Sequence, residues 1–190
     1  MPTRAFIGCK TKWTGDVSEA FILWKLVEAG ILVLVPWGDN ARFDLVAVLG
    51  DTFLRVQCKT GRLRDGYVSF KTFGRGRDGN VYRYVEGEID YYAVRCLETN
   101  AIYLVPFAEA GSSTHPQLRV DLPKPNSTGG RQVARVRWAA KYAADVVIES
   151  WLRTGGKFQP HWSPPLVKAT GSWHAGRRAV LSVPRAPPRL

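Results

Sequence analysis

The sequence predicts an α/β fold on three observations. The segment Asp16–Ala29 carries apolar residues at helical spacing and is closed by Gly30. Short β-rich runs punctuated by Gly, Pro and Asn follow between Ile31 and Leu122. A second helical stripe, Ala140, Ala144, Val147, Ile148 and Trp151, ends near Arg153. At 190 residues the chain is long enough for one domain with a proper core, and a hydrophobic fraction of 45% is ordinary for a soluble protein.

The first helix is expected over Asp16–Ala29. Asp16 and Glu19 form a D-x-x-E pattern close to a capping box, and Val17, Ala20, Phe21, Trp24 and Val27 supply the stripe expected to bury. Ile31–Val35 reads as a buried strand ended by Pro36, and Trp37–Asn40 as a turn, with Asp39 and Asn40 as turn formers. Two β-rich runs, Phe43–Leu49 and Thr52–Lys59, then flank Gly50-Asp51, a pair suited to a two-residue hairpin turn. With that turn, opposing positions place Asp44 across from Gln57 and Arg42 across from Lys59. Side chains alternate faces along a strand. One face therefore holds Leu45, Ala47, Leu49, Leu54, Val56 and Cys58, and the other gathers Asp44, Arg55, Gln57 and Lys59.

The first of these faces belongs to a core. The second has a chemical use. A carboxylate and an amide oxygen suit a hard cation such as Mg2+, and the Cys58 carbonyl offers a further oxygen. Lys59 is placed to orient a metal-bound water or to offset charge on a pentavalent phosphate. The plainer reading is an Asp–Lys pair on an exposed sheet face, worth little energetically. Spacing alone leaves both readings standing.

The run resembles the PD-(D/E)XK nuclease superfamily, in which an acidic residue and a hairpin precede D/E-x-K on the next strand. It looks most like the branch found in group I intron homing endonucleases, where Gln takes the D/E position. Asp44 matches the first acidic position and Gln57-Cys58-Lys59 matches Q-x-K. The resemblance extends from about Lys12 to Trp151, with Glu19 upstream and Asp90-Tyr91-Tyr92 and Tyr103–Pro106 downstream. It implies a restriction-endonuclease-like fold, a mixed central β-sheet flanked by helices. It also implies catalytic roles for Glu19, Asp44, Gln57 and Lys59. Metal would be held by Glu19, Asp44, Gln57 and Cys58, with Mg2+ or Mn2+ as the ion. Glu19 read by position alone is a helix cap; the family places an acidic residue on this helix, aimed at the metal.

The charge balance fits a polyanionic partner. A net charge of +11 and a pI near 9.9 point first to nucleic acid and second to an anionic membrane surface. No run is long enough to span a bilayer, and the N-terminus lacks a secretory apolar segment. Cys9, Cys58 and Cys96 are odd in number, with no C-x-x-C, so neither a disulfide framework nor a zinc site is expected. A cytoplasmic setting, prokaryotic or phage, is the expectation.

Beyond the hairpin, Arg62 and Arg64 lie in a basic loop, and Tyr67–Phe73 reads as a further strand. Gly74–Asn80, with Arg75 and Arg77, reads as a flexible loop that touches the DNA backbone rather than as a P-loop, because no strand-to-helix context surrounds its glycines. Val81–Tyr84, Ile89–Leu97, Ala101–Phe107 and Gln117–Leu122 are strand-like. Asp90 reads as a structural hydrogen-bonding residue, and the tyrosines at 82, 84, 91, 92 and 103 as half-buried sheet residues. Arg131, Arg135, Arg137 and Lys141 stand at the entrance of the last helix as candidate DNA contacts.

Residues 1–153 are thus expected to form the nuclease domain. Residues 154–190, which hold no acidic residue, are expected to form a basic, Pro-rich and partly disordered tail, in which Trp162 and Trp173 suggest local packing. The expected partner is double-stranded DNA. Because the two strands of a duplex are related by local two-fold symmetry, the simplest double-strand cutter is a homodimer or homotetramer. A structure-selective nuclease such as a Holliday-junction resolvase, or an inactive DNA-binding protein on the same fold, are the alternatives.

Overall fold

A long helix, α1 (Lys10–Glu28), opens the described chain. It starts a turn and a half before the expected Asp16, so Asp16 lies inside the helix and the capping box is not formed. Its buried side also differs from expectation. Ser18, Ile22 and Leu26 are 1%, 0% and 1% exposed, whereas Trp24 and Val27 are 52% and 55% exposed. Val17 and Ala20 are exposed as well, and Phe21 is half-buried. The helix carries apolar residues on both sides, so their spacing alone does not say which side meets the sheet. The structure is a computed structural model and describes residues 10–38, 40–76, 79–110, 113–121 and 136–159.

Strands β1 (Leu32–Leu34), β2 (Leu45–Leu49) and β3 (Thr52–Arg64) form an antiparallel meander. The hairpin pairs Leu45 with Val56 and Leu49 with Thr52, the register the Gly50-Asp51 turn predicts, and Gly50 takes φ 61° there. Beyond Val56, β3 runs parallel to β7 (Tyr91–Cys96), which is antiparallel to β8 (Ile102–Pro106). The last turn of β3 leaves β7 to pair with β4 (Tyr67–Ser69), which pairs in turn with β9 (Gln117–Arg119). The sheet is therefore mixed, with 7 strands. The chain makes this departure at Gly61. A Cβ there would sit 2.8 Å from Val94 Cγ1 and 2.9 Å from Val68 Cγ1, so only glycine lets β3 pass between them.

Strands β5 (Phe73–Arg75) and β6 (Val81–Arg83) pair antiparallel as a separate two-stranded sheet. Two expectations change here. Tyr67–Phe73 is not one strand: it breaks after Ser69 and pairs with different partners on either side. Gly74–Asn80 is not a loop throughout, because Gly74 and Arg75 belong to β5 and Gly76 N–H donates to the Asn80 carbonyl at 2.8 Å.

The sheet separates two apolar layers. One joins Leu45, Ala47, Val56, Ala93 and Leu104 to Ile22 and Leu26 of α1 and to Val147 and Trp151 of α3 (Ala144–Thr154). The other joins Val68, Tyr92, Val94, Val105 and Leu118 to Tyr142 in a 3-10 turn (Ala139–Tyr142). Both faces of β7 are covered, which is why its residues do not alternate between apolar and polar, Arg95 being the one charged residue in the strand. The expected stripe of the last helix is observed except at Ala140, which is exposed because the chain there is a 3-10 turn rather than α-helix. A short helix, α2 (Phe107–Ala110), follows β8.

Strand β1, expected to be buried, is instead an edge strand with Leu32 62% and Leu34 45% exposed. Tyr84, Tyr91, Tyr92 and Tyr103 are buried rather than half-buried. Past Thr154 the chain still packs: Phe158 stacks on Tyr142 with ring centroids 5.9 Å apart, and the Gln159 N–H donates to Ser150 Oγ at 2.7 Å. The remainder of the tail, with Trp162 and Trp173, lies outside the described residues, as do Asp39, Arg77, Arg131 and Arg135. Cys58 and Cys96 are free thiols. Among the described residues, no helix is long and apolar enough to cross a membrane.

Candidate active site

Strand β2 stops at Leu45, and the residue before it does what the strand no longer can. The Cys58 N–H, which has no β2 carbonyl to meet, donates to Asp44 Oδ2 at 2.7 Å. The Gln57 amide donates to the same carboxylate oxygen and, at 3.5 Å, to the Cys58 carbonyl. The Asp44 carboxylate, the Gln57 amide and the Cys58 carbonyl therefore converge on one point beside β3. The amide nitrogen stands between two oxygens, where positive charge is wanted. Turning the amide over would present its oxygen instead, giving three oxygen donors around the same point.

Glu19 approaches from α1. The helix is fastened to β3 one residue earlier, where Ser18 Oγ donates to the Thr14 carbonyl and shares a 2.9 Å hydrogen bond with Thr60 Oγ1. Because α1 begins at Lys10, Glu19 lies mid-helix and has no orphan N–H to cap. Burial raises its carboxyl above the ordinary range, and the nearby Asp44 charge raises it further. Asp44 is also raised: burial outweighs the Cys58 N–H, the Lys59 charge and the Gln57 amide, all of which pull it down. Two partly desolvated carboxylates facing each other are the arrangement a cation relieves. Among the described residues no group of three His, Cys, Asp or Glu comes together, so a cation held here would need amide and carbonyl oxygens beside the two carboxylates.

Lys59 lies on the same side as Gln57. Its ammonium donates to the Tyr84 hydroxyl at 3.1 Å and to the Phe73 carbonyl at 3.2 Å, and sits 4.9 Å from the Tyr84 ring centre. Burial lowers its pKa, against the Asp44 charge, which raises it. An ammonium carries three N–H donors; two are engaged here, and the last is left for a substrate. Tyr84 is fixed by edge-on contacts with Tyr82 and Tyr92, at 5.6 and 5.8 Å between ring centroids. Burial and the neighbouring Tyr82 push its phenol up, so it stays protonated.

Of the predicted site residues, the fold brings Glu19, Asp44, Gln57, Cys58 and Lys59 together. It separates Arg55, whose guanidinium pairs with Asp90 through bonds of 3.0 Å, the Arg55 N–H adding a third at 2.7 Å. Asp90 thus has the structural role expected of it. Arg42, expected across from Lys59, pairs with Glu88 at 3.2 Å and lies over the Tyr82 ring. Arg62 and Arg64, expected in a basic loop, belong instead to β3, which runs on to Arg64, and line a groove together with Lys59. Arg137 donates to the Glu109 carbonyl at 2.7 Å and Lys141 pairs with the Glu109 carboxylate at 2.7 Å, so both are engaged within the protein. Ser18, Thr60 and Tyr84 were not anticipated. Their contacts span 42 and 25 residues of chain, which no local spacing reveals.

Tyr84 gives the first expectation. A hydrogen bond to a charged group is worth about 1.5–3 kcal/mol, so Tyr84→Phe should slow any reaction that uses the Lys59 ammonium roughly 10-fold with substrate affinity little changed. The lost oxygen favours the charged ammonium, so the alkaline limb of the pH–rate profile should move to lower pH. An unmoved profile would assign Tyr84 to packing alone.

The chain belongs to the PD-(D/E)XK endonuclease family, whose model matches residues 9–145. Among solved structures it is similar to I-Ssp6803I, a bacterial homing endonuclease. The two are 20% identical over 77% of this chain and 96% of that one, with a TM-score of 0.55. It is also similar to Hjc, a Holliday junction resolvase of Archaeoglobus fulgidus, at 18% identity over 56% of this chain and 84% of that one, with a TM-score of 0.37. No curated protein matches the chain. The mixed sheet, with both long helices packed on one face, is the restriction-endonuclease-like fold, as expected.

Proposed function

We propose that the chain is a Mg2+-dependent endonuclease that hydrolyses phosphodiester bonds at specific sites in duplex DNA. The observation that carries this reading is the convergence of Asp44, the Gln57 amide and the Cys58 carbonyl on one point, with Glu19 and Lys59 on either side. Glu19, Asp44, Gln57 and the Cys58 carbonyl hold the ion, Mg2+ or Mn2+. When bound, the ion polarises the phosphate and makes water a usable nucleophile at neutral pH. Lys59, held by Tyr84 and the Phe73 carbonyl, directs its free N–H toward the attacking water or a non-bridging phosphate oxygen. The basic tail after residue 153 adds phosphate contacts that raise affinity for all sequences.

Two copies acting on opposite strands would cut both, so a homodimer or homotetramer follows from the symmetry of the substrate. The apolar row of Leu32, half-buried Val48 and Phe53 supports this. Leu32 and Phe53 are 62% and 59% exposed on the open side of the β1–β2–β3 meander, a surface of the kind a second copy covers.

Metal binding has a predicted pH dependence. The raised pKa values of Glu19 and Asp44 mean that the native state holds their protons more tightly than the unfolded chain. The metal-free fold is therefore destabilised by these groups as pH rises above the ordinary carboxylate range near 4. Mg2+ binds the ionised forms and reverses the effect. Added Mg2+ should raise Tm by an amount that grows as pH rises above the ordinary carboxylate range and that disappears in Asp44→Asn. Thermal unfolding with and without Mg2+ checks this. A shift that is independent of pH, or that persists in the variant, would place the ion elsewhere.

A further inference from the structure

The end of β3 together with β4 and β9 forms a three-stranded antiparallel ribbon whose two faces differ in character. Leu63, Val68 and Leu118 align across it and point inward, with Val68 and Leu118 0% exposed. The neighbouring rows, Arg62–Ser69–Gln117 and Arg64–Tyr67–Arg119, alternate with them and face outward. Five of these residues line a groove of about 1110 Å3 that has Lys59 at one end. The groove wall also carries Lys71 and His115 opposite the start of α1, and Asp65 is its one acidic residue.

The outward residues divide by what already engages them. Arg62 pairs with Glu98 at 3.4 Å. Arg119 donates to the Tyr67 hydroxyl at 2.6 Å and to the Asp121 carbonyl at 2.8 Å. Among the described residues, the side chains of Arg64, Ser69 and Gln117 have no hydrogen-bond or ion-pair partner. Polar groups left free on a rigid sheet, next to a catalytic lysine, are placed to meet a polar ligand.

We infer that this ribbon enters the major groove of duplex DNA and that Arg64, Ser69 and Gln117 read base edges there. The inference rests on the nuclease reading and adds its specificity surface. A pair of strands about 4.8 Å apart is a ribbon that a major groove about 12 Å wide admits and a minor groove of about 6 Å does not. Strands β4 and β9, which carry Ser69 and Gln117, form such a pair, with Arg64 on β3 at their flank. The free side chains have matching chemistry: Arg pairs with the two acceptors of guanine, Gln with the donor and acceptor of adenine, and Ser with either. Base reading is thereby placed on the sheet itself, whose inward row is locked in the core, beside the point of cleavage.

The test uses the full-length chain and a randomised duplex library, with sequence preference read separately from bound DNA and from cleaved DNA. Gln117→Ala should lose roughly 10-fold of discrimination at one base position. It should leave the slope of log K against log salt unchanged, since no charge is removed. Gln117→Glu should move preference at that position from adenine toward cytosine, whose amino group a carboxylate accepts. Gln117 is exposed, so neither change threatens folding. Preference unchanged at every position in both variants, or an equal loss of affinity for all sequences, overturns the inference. If bound DNA shows the predicted change while wild type cleaves nothing, the ribbon assignment stands and the nuclease reading falls.

Discussion

Asp44→Asn should lower Mg2+-dependent cleavage by about a thousandfold, the scale set by removing a preorganised electrostatic group from an active site. The Asp44 carboxylate accepts the Cys58 N–H and the Gln57 amide and faces Glu19, so it joins every oxygen donor of the site. DNA affinity should be unchanged or slightly tighter, because a negative charge near phosphate is lost. Lys59→Met keeps the length of the side chain and removes its charge; it should cost about a hundredfold or more. The double variant should be little worse than Asp44→Asn alone, since groups acting on one step are not additive. Single-turnover cleavage alongside equilibrium binding checks all of this. Activity near wild type in either single variant would remove the hairpin from the reaction.

The largest expected effect on stability lies at Trp151. It is 0% exposed, the largest of the fully buried side chains, and meets Tyr91 edge-on with ring centroids 4.8 Å apart. It joins α3 to the face of the sheet that also receives Ile22 and Leu26. Trp151→Ala removes that contact and leaves a cavity, for a loss of about 3–5 kcal/mol. For a chain of this length that is a fall in Tm of roughly 10 °C or more. Thermal or urea unfolding measures it. A loss below about 1 kcal/mol would mean that α3 is peripheral to the fold.

The hairpin and its site were legible because local chemistry leaves little freedom there. Once Gly50-Asp51 is the turn, register follows, and alternation puts Gln57 and Lys59 on one face and Leu54 and Val56 on the other. The resemblance then added Glu19, which spacing alone read as a cap. Alternation failed on α1, where Trp24 and Val27 are as well spaced as Ile22 and Leu26 and only the docking of Ser18 on Thr60 decides. It failed again at β1, whose pattern does not reveal that one face of an edge strand stays open. The ribbon of β3, β4 and β9 was hidden for a different reason. Its outward row draws on segments more than fifty residues apart in chain order, and Gln117 and Ser69 are unremarkable until the register sets them beside Arg62.

The central claim is that the convergence of oxygens around Asp44 serves metal-dependent hydrolysis of duplex DNA. Its most direct test is cleavage by the full-length wild-type chain of duplex, single-stranded and four-way-junction DNA, with Mg2+ and then with a chelator. The expected result is cutting at a fixed position in duplex DNA that stops when the metal is removed. Cleavage that survives chelation, that follows branch structure whatever the sequence, or that is absent from every substrate with Mg2+ or Mn2+ would contradict it.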